Sequence, residues 1–451
     1  MNASAKILVG SVLFSLAGWL RFFVTGSFVV DGNYPGVPAG AGISILIAVA
    51  VLFVTLGSLD LINKISLEVI TDWKISASVI FLLICPPLTT NDLYSYIYYG
   101  EFARNGSDPY ILETFNSGIV NRFHELVSPL YQQIPSVYGP VLLISSLLPV
   151  SMSSATAAIL LYKAIIVLFV ILLFYRTGRR SYLFPFVLSS ACLFEMAGQG
   201  HNDIVAVYFT LLMLDFAEKG KSVSSALFSV LALASKFLYF PFLAVAFLLL
   251  LKNSLRKTVL WAGIISTSLL GWYILHPYSF MAPFRYAGAM RPSGSWSAMA
   301  VEIWRSTVNA DIKQGNVILF FQVFALLLCV IVFVIFWYRR RKMDISGLIQ
   351  ITAVFILIYF GFFIHRLLPW YILFVIPLAT IIPGINVRWW VFAAGFYVLR
   401  GCVHQFLPNT PAMLFVIIPT SVIATILLTI WLFVTIRTVI FSKPEEDRII
   451  G

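Results

Sequence analysis

Apolar runs long enough to cross a bilayer recur along this chain, the first three at residues 6–30, 41–61 and 74–90. Polar residues then return over 91–136, a large loop with a helix predicted over 92–104. The apolar stretch 138–150 follows a Tyr138–Gly139–Pro140 turn and is too short for an ordinary span, so an interfacial or re-entrant helix is expected there. A full run at 155–175 precedes four short ones at 181–197, 202–217, 222–235 and 237–251. Short, broken apolar segments usually line a cavity, because their ends must be satisfied by protein or water. A further full run, 257–277, leads into a second large polar loop at 278–316. Runs at 317–338, 346–364, 369–384, 389–404 and 413–438 follow. The pattern predicts an all-α polytopic membrane protein of about 12–14 transmembrane helices.

Composition sharpens this reading. Hydrophobic residues make up 60% of the 451 and charged residues only 11%, with a mean hydropathy of +0.94, whereas soluble domains carry roughly 25% charged residues. The net charge of +11 does not point to nucleic acid, because the basic residues lie in short clusters between apolar runs. Those clusters (Arg176, Arg179 and Arg180; Lys219 and Lys221; Lys252, Arg256 and Lys257; Arg339–Lys342) all fall on one side if the N-terminus is inside. By that count the loops 91–136 and 278–316 face outward. The first run contains Arg21 and is read as a retained helix. Cys85, Cys192, Cys329 and Cys402 have no metal-site or disulfide spacing. No repeat or separate soluble domain interrupts the chain, which is taken as one membrane domain, 1–451.

The candidate chemistry collects at the outer edge. Asp92 follows directly on an apolar run, and a carboxylate at that boundary is a functional-site hypothesis by default. On a helix starting near it, Tyr96 and Tyr99 share its face, and Glu101 lies nine residues on. A carboxylate with phenols beside it suits a polyhydroxylated ligand. The competing reading of Asp92 is a helix N-cap. His201 and Asp203 flank Asn202 at another predicted helix start, where capping competes again. Lys236 interrupts an apolar stretch, where it must snorkel to an interface or meet an anion such as phosphate. His365 and Arg366 sit at an outer turn, as an interfacial anchor or as phosphate ligands, for which Arg is well suited. Arg285, Arg291 and Arg305 add positive charge to the second outer loop.

One carboxylate with several cations has a chemical meaning. A sugar carried on phosphate leaves behind a stabilised anion, so transfer needs a base for the acceptor hydroxyl and cations for the departing charge. Glycosidases instead need two opposed carboxylates.

The stretch NDLYSYIYYGEFARNGSDPY at 91–110 resembles the D-x-Y-x-Y-x-x-x-G…G-x-D/N-P-Y signature of polyprenol-phosphate-mannose-dependent mannosyltransferases of the membrane GT-C superfamily. YGP at 138–140, GHND at 200–203, Lys236 in ASKF and HRLLPWY at 365–371 are similar to that family's later landmarks, in the same order. The resemblance implies a GT-C-type fold in a bacterial cell membrane. It implies inverting transfer of a sugar, mannose foremost, from a polyprenyl monophosphate to a glycan or lipid-linked acceptor outside the cell. Asp92 would be the base; Lys236, His365 and Arg366 would meet the donor phosphate; Tyr96, Tyr99, Glu101, His201 and Asp203 would contact sugar or acceptor. Asn91 precedes Asp92, so no D-x-D pair exists and neither a divalent metal nor another cofactor is expected. The alternatives are a glycan polymerase or ligase using lipid diphosphates, and a lipid-linked sugar transporter.

Overall fold

The computed structural model describes residues 1–28, 37–62, 69, 71–111, 114–115, 120–127, 129, 131–177, 183–287, 295–308, 314–340, 344–364, 367–382, 385–406 and 411–441. Every regular element among them is helical. Seven helices are long and apolar enough to cross a membrane: Ala3–Thr25, Ala39–Asp60, Ala155–Thr177, Leu255–Leu275, Gly315–Arg339, Ile345–Phe363 and Ser421–Phe441. Four shorter apolar helices accompany them: Trp73–Ile84, Pro140–Ser151, Ser222–Ser235 and Phe242–Asn253. This is the all-α, multi-pass architecture that the apolar pattern predicts.

The short runs depart from simple spans. The run at 181–197 contains a single helical turn, Phe184–Val187, followed by a π-helix, Ala191–Gly198. The run at 369–384 is a 3-10 turn, Pro369–Phe374, continued by Val375–Ala379. Proline at 369 lacks the N–H that an upstream helix would need, so the chain restarts there. The helix expected after the YGP turn is Pro140–Leu147, with proline in its first turn, and it packs on helix Asp92–Arg104.

Three helices set the depth of the site. Asp203–Glu218, Ser222–Ser235 and Phe242–Asn253 run up, down and up, the first of them packed on Ala155–Thr177 and on the other two. Asp203 and Lys236 sit at one end of this group, while Lys219, Lys221 and Lys252 sit at the other. Arg176 pairs with Asp215 at that same far end. A 16-residue helix separates the two ends, about 24 Å at the α-helical rise.

Candidate functional site

The segment joining helix Trp73–Ile84 to helix Asp92–Arg104 is irregular, and its backbone groups are met by buried side chains. Lys163 Nζ donates to the carbonyls of Leu82 (2.8 Å) and Cys85 (2.6 Å) at the end of the first helix. Gln199 Oε1 accepts from the N–H groups of Leu88 (2.7 Å) and Thr89 (3.1 Å). The Asp92 N–H donates to the Thr90 hydroxyl at 3.0 Å. These bonds fix where the next helix begins. Its N-cap position is Asn91 and Asp92 is the first helical residue, so the capping alternative falls one residue upstream of the carboxylate. The same holds at the other helix start, where Asn202 takes the cap position ahead of Asp203.

Facing Asp92 is the turn out of the π-helix. Gly200 adopts φ +77°, a left-handed conformation that side chains rarely take, and a Cβ there would lie 3.1 Å from Leu93. The turn brings His201 under Asp92, with Nδ1 3.7 Å from Asp92 Oδ2 and 3.4 Å from the Tyr96 hydroxyl. The opposite ring nitrogen, Nε2, lies 3.5 Å from Glu195 Oε2. Burial, joined by the Lys236 ammonium, holds the His201 pKa well below its ordinary value, so the ring is neutral.

Helix Ser222–Ser235 ends at Lys236, whose extended backbone (φ −155°, ψ 115°) breaks the helix. Gly139 of the YGP turn packs there, and a Cβ on it would sit 1.9 Å from the Ala234 carbonyl oxygen. This close backbone approach explains the glycine and sets Lys236 beside Tyr138. Lys236 Nζ donates to Asp203 Oδ1 at 2.6 Å and lies 4.3 Å from the centre of the Tyr371 ring. Burial alone would lower the Lys236 pKa, but Asp203, Tyr371 and Asp92 more than offset it, so the ammonium is retained.

Asp92 and Lys236 line one cavity of about 430 Å³. Tyr96, Tyr131, Tyr138 and Tyr371 give it polar edges, and Phe237, Phe240, Pro283 and Phe284 form an apolar flank. Phe240 and Phe284 are 54% and 55% exposed, so the apolar flank reaches the outside of the bundle. The cavity therefore has one end for charge and hydroxyls and another for hydrocarbon.

Three sequence candidates, Asp92, Tyr96 and Lys236, thus meet at this cavity, with His201 and Asp203 directly behind them. Tyr99 is not among its lining residues; its hydroxyl donates to the Ile134 carbonyl at 3.1 Å. Glu101 also lies elsewhere, paired with Arg122 at 3.2 Å. Side chains in the second half of the 91–110 signature bond within the loop and to the YGP turn. Asp108 Oδ1 accepts from the Tyr110 N–H (2.8 Å), and the Tyr110 hydroxyl donates to the Tyr138 carbonyl (2.9 Å), tying the loop to the YGP turn. His365, Arg366 and Arg291, and the side chains of Arg285 and Arg305, lie outside the described residues. Among the described residues, no group of three or more His, Cys, Asp or Glu is placed to hold a metal ion. Sequence reasoning missed Lys163, Glu195 and Gln199. Lys163 and Glu195 carried a signal as charged side chains inside apolar runs, whereas Gln199 lies in the polar break between two runs.

Comparison with known proteins adds an independent line. A family model described as "Alpha-(1->6)-mannopyranosyltransferase, N-terminal domain" matches residues 7–252, more than half of the chain. An alpha-(1->6)-mannopyranosyltransferase of Mycobacterium tuberculosis is 27% identical over 159 residues, which is 32% of this chain and 26% of that relative. The match thus spans about a quarter of the relative's length. No solved structure matches.

Proposed function

The chain belongs to the alpha-(1->6)-mannopyranosyltransferase family, and from that premise we propose that it transfers mannose from a polyprenyl monophosphate carrier to a glycan or lipid-linked acceptor at the outer face of the membrane. Asp92 acts as the general base and Lys236 faces the donor phosphate. The observation that carries this reading is the shared cavity of Asp92 and Lys236, which are far apart in sequence.

The mechanism follows from the charges. As the acceptor hydroxyl attacks the anomeric carbon, Asp92 takes its proton. The bond from that carbon to the phosphate oxygen breaks, and phosphate departs with the electron pair. The Lys236 ammonium stabilises the developing charge. No general acid is required, because the leaving group is already a stable anion. Attack opposite the leaving group inverts the centre, so a β-linked donor yields an α-linkage. Tyr96 and Tyr138 offer ring faces and hydroxyls to the sugar. His201 and Asp203 serve from behind, by holding Asp92 and Lys236.

An amphiphilic donor fits an amphiphilic cavity, with the prenyl chain leaving past Phe240 and Phe284. The outward face is supported by the helix ends, since Lys219, Lys221 and Lys252 lie opposite the cavity. The test is to incubate the purified protein in detergent with polyprenyl-phosphate mannose, other polyprenyl-phosphate sugars, a lipid diphosphate sugar and a nucleotide sugar. Transfer or slow donor hydrolysis with the monophosphate mannose alone is expected. Preference for the diphosphate or nucleotide donor would overturn the reading.

A further inference from the structure

Among the described residues, Glu195 is an acidic side chain against the site that the reaction described above does not use. It is 2% exposed and projects from the π-helix Ala191–Gly198. His201 lies six positions further on, a spacing that puts two side chains on different faces of a regular α-helix. Here the π-helix and the left-handed Gly200 fold the chain back. The His201 N–H donates to the Glu195 carbonyl at 3.1 Å, so the backbone holds the two residues close together. The imidazole consequently stands between two carboxyl groups, Glu195 at 3.5 Å from Nε2 and Asp92 at 3.7 Å from Nδ1.

A neutral imidazole carries one proton, and what its second nitrogen does decides where that proton sits. A carboxyl group as deeply buried as Glu195 is held as the acid, because nothing there solvates its charge. We propose that Glu195 is a positioning residue: as a carboxylic acid it donates to His201 Nε2, which leaves the ring proton on Nδ1, directed at Asp92. His201 then presents a donor to the base, holding the Asp92 carboxylate ionised and oriented toward the acceptor hydroxyl. Both distances lie just beyond hydrogen-bond length, as catalytic contacts often do before substrate binds, and they shorten when the hydroxyl draws Asp92 into line. The other charged or titratable groups around the pair are Asp203, Lys236, Tyr96, and Lys163 and Tyr162 from helix Ala155–Thr177.

This inference rests on Asp92 being the base, and the experiment separates the two. Purified Glu195→Gln and Glu195→Leu proteins are assayed for mannose transfer from polyprenyl-phosphate mannose, with Asp92→Asn alongside. A Gln amide still donates to Nε2, so E195Q keeps kcat within about threefold, whereas Leu cannot donate and E195L loses roughly 100-fold in kcat. The donor KM changes less than about twofold in both, because Glu195 is not at the cavity wall. Glu195→Met, a second apolar variant, is read in the same way should the Leu variant not remain monodisperse. Wild-type kcat in an apolar variant overturns the proposal, and so does a loss in E195Q equal to that in E195L. If Asp92→Asn itself retains transfer, the assignment of the base fails first, whatever Glu195 does.

Discussion

Replacing Gly139 by alanine tests the backbone contact that locates Lys236. The added methyl would sit 1.9 Å from the Ala234 carbonyl oxygen, 2.6 Å from its carbon and 3.2 Å from the Ser235 oxygen. All three are backbone atoms, so no side-chain rotation relieves the clash. The two segments must part by about 1 Å before the nearest contact even reaches 3.0 Å. Overpacking of this kind destabilises by about 1–3 kcal/mol, which a large membrane bundle withstands. Activity is more sensitive, because Ala234 is two residues from Lys236. A displacement of about 1 Å at a reacting group lowers the rate roughly 100-fold. The assay is kcat for mannose transfer beside thermal unfolding in detergent, with Gly106→Ala as the control. Gly106 has φ +78° and open space around it, so its alanine variant carries backbone strain of about 1 kcal/mol without moving Lys236. Loss of kcat in G139A but not in G106A is expected. A G139A protein with kcat within twofold of wild type would refute the claim that this contact positions the cation.

Four further outcomes follow from the same geometry. Lys236→Met and Asp203→Asn each break a buried ion pair, so both lower stability by about 3–5 kcal/mol, read by thermal unfolding. Only K236M removes the charge proposed to face the donor phosphate, so it also loses transfer in whatever folded fraction remains. Tyr99→Phe and Glu101→Gln leave kcat within about twofold, since the first removes a bond worth about 1 kcal/mol, the second weakens a half-buried ion pair, and neither side chain lines the cavity. Tyr96→Phe, which alters the cavity wall, lowers kcat measurably in the same assay. Lys163→Met strands the carbonyls of Leu82 and Cys85 at about 1–3 kcal/mol each, visible as a lower unfolding temperature.

Much of the fold was legible because lipid imposes a simple rule: long apolar runs become helices. Seven of the predicted runs coincide with the long helices. The short runs were harder, since 181–197 and 369–384 hold π- and 3-10 turns that hydropathy does not distinguish from a span. At the site, Asp92 and Lys236 stood out as charges at the edge of, or inside, apolar sequence, and they share a cavity. Tyr99 lies away from the cavity lining for a local reason: helical spacing gives the face but not the partner, and the loop at 131–136 supplies a carbonyl that takes its hydroxyl. Glu195 stood inside an apolar run, but its approach to His201 was not legible, because it depends on a π-helix and a left-handed glycine, neither of which has a periodic signature.

The central claim is that Asp92 is the base for transfer from a phosphate-linked sugar. Its most direct test is single-turnover transfer from polyprenyl-phosphate mannose by purified wild type and Asp92→Asn, with donor binding measured on the same samples. A fall of about 100- to 10,000-fold in the rate of the N variant, with donor affinity kept within a few-fold, is the expected result. Transfer at the wild-type rate by that variant would contradict the account.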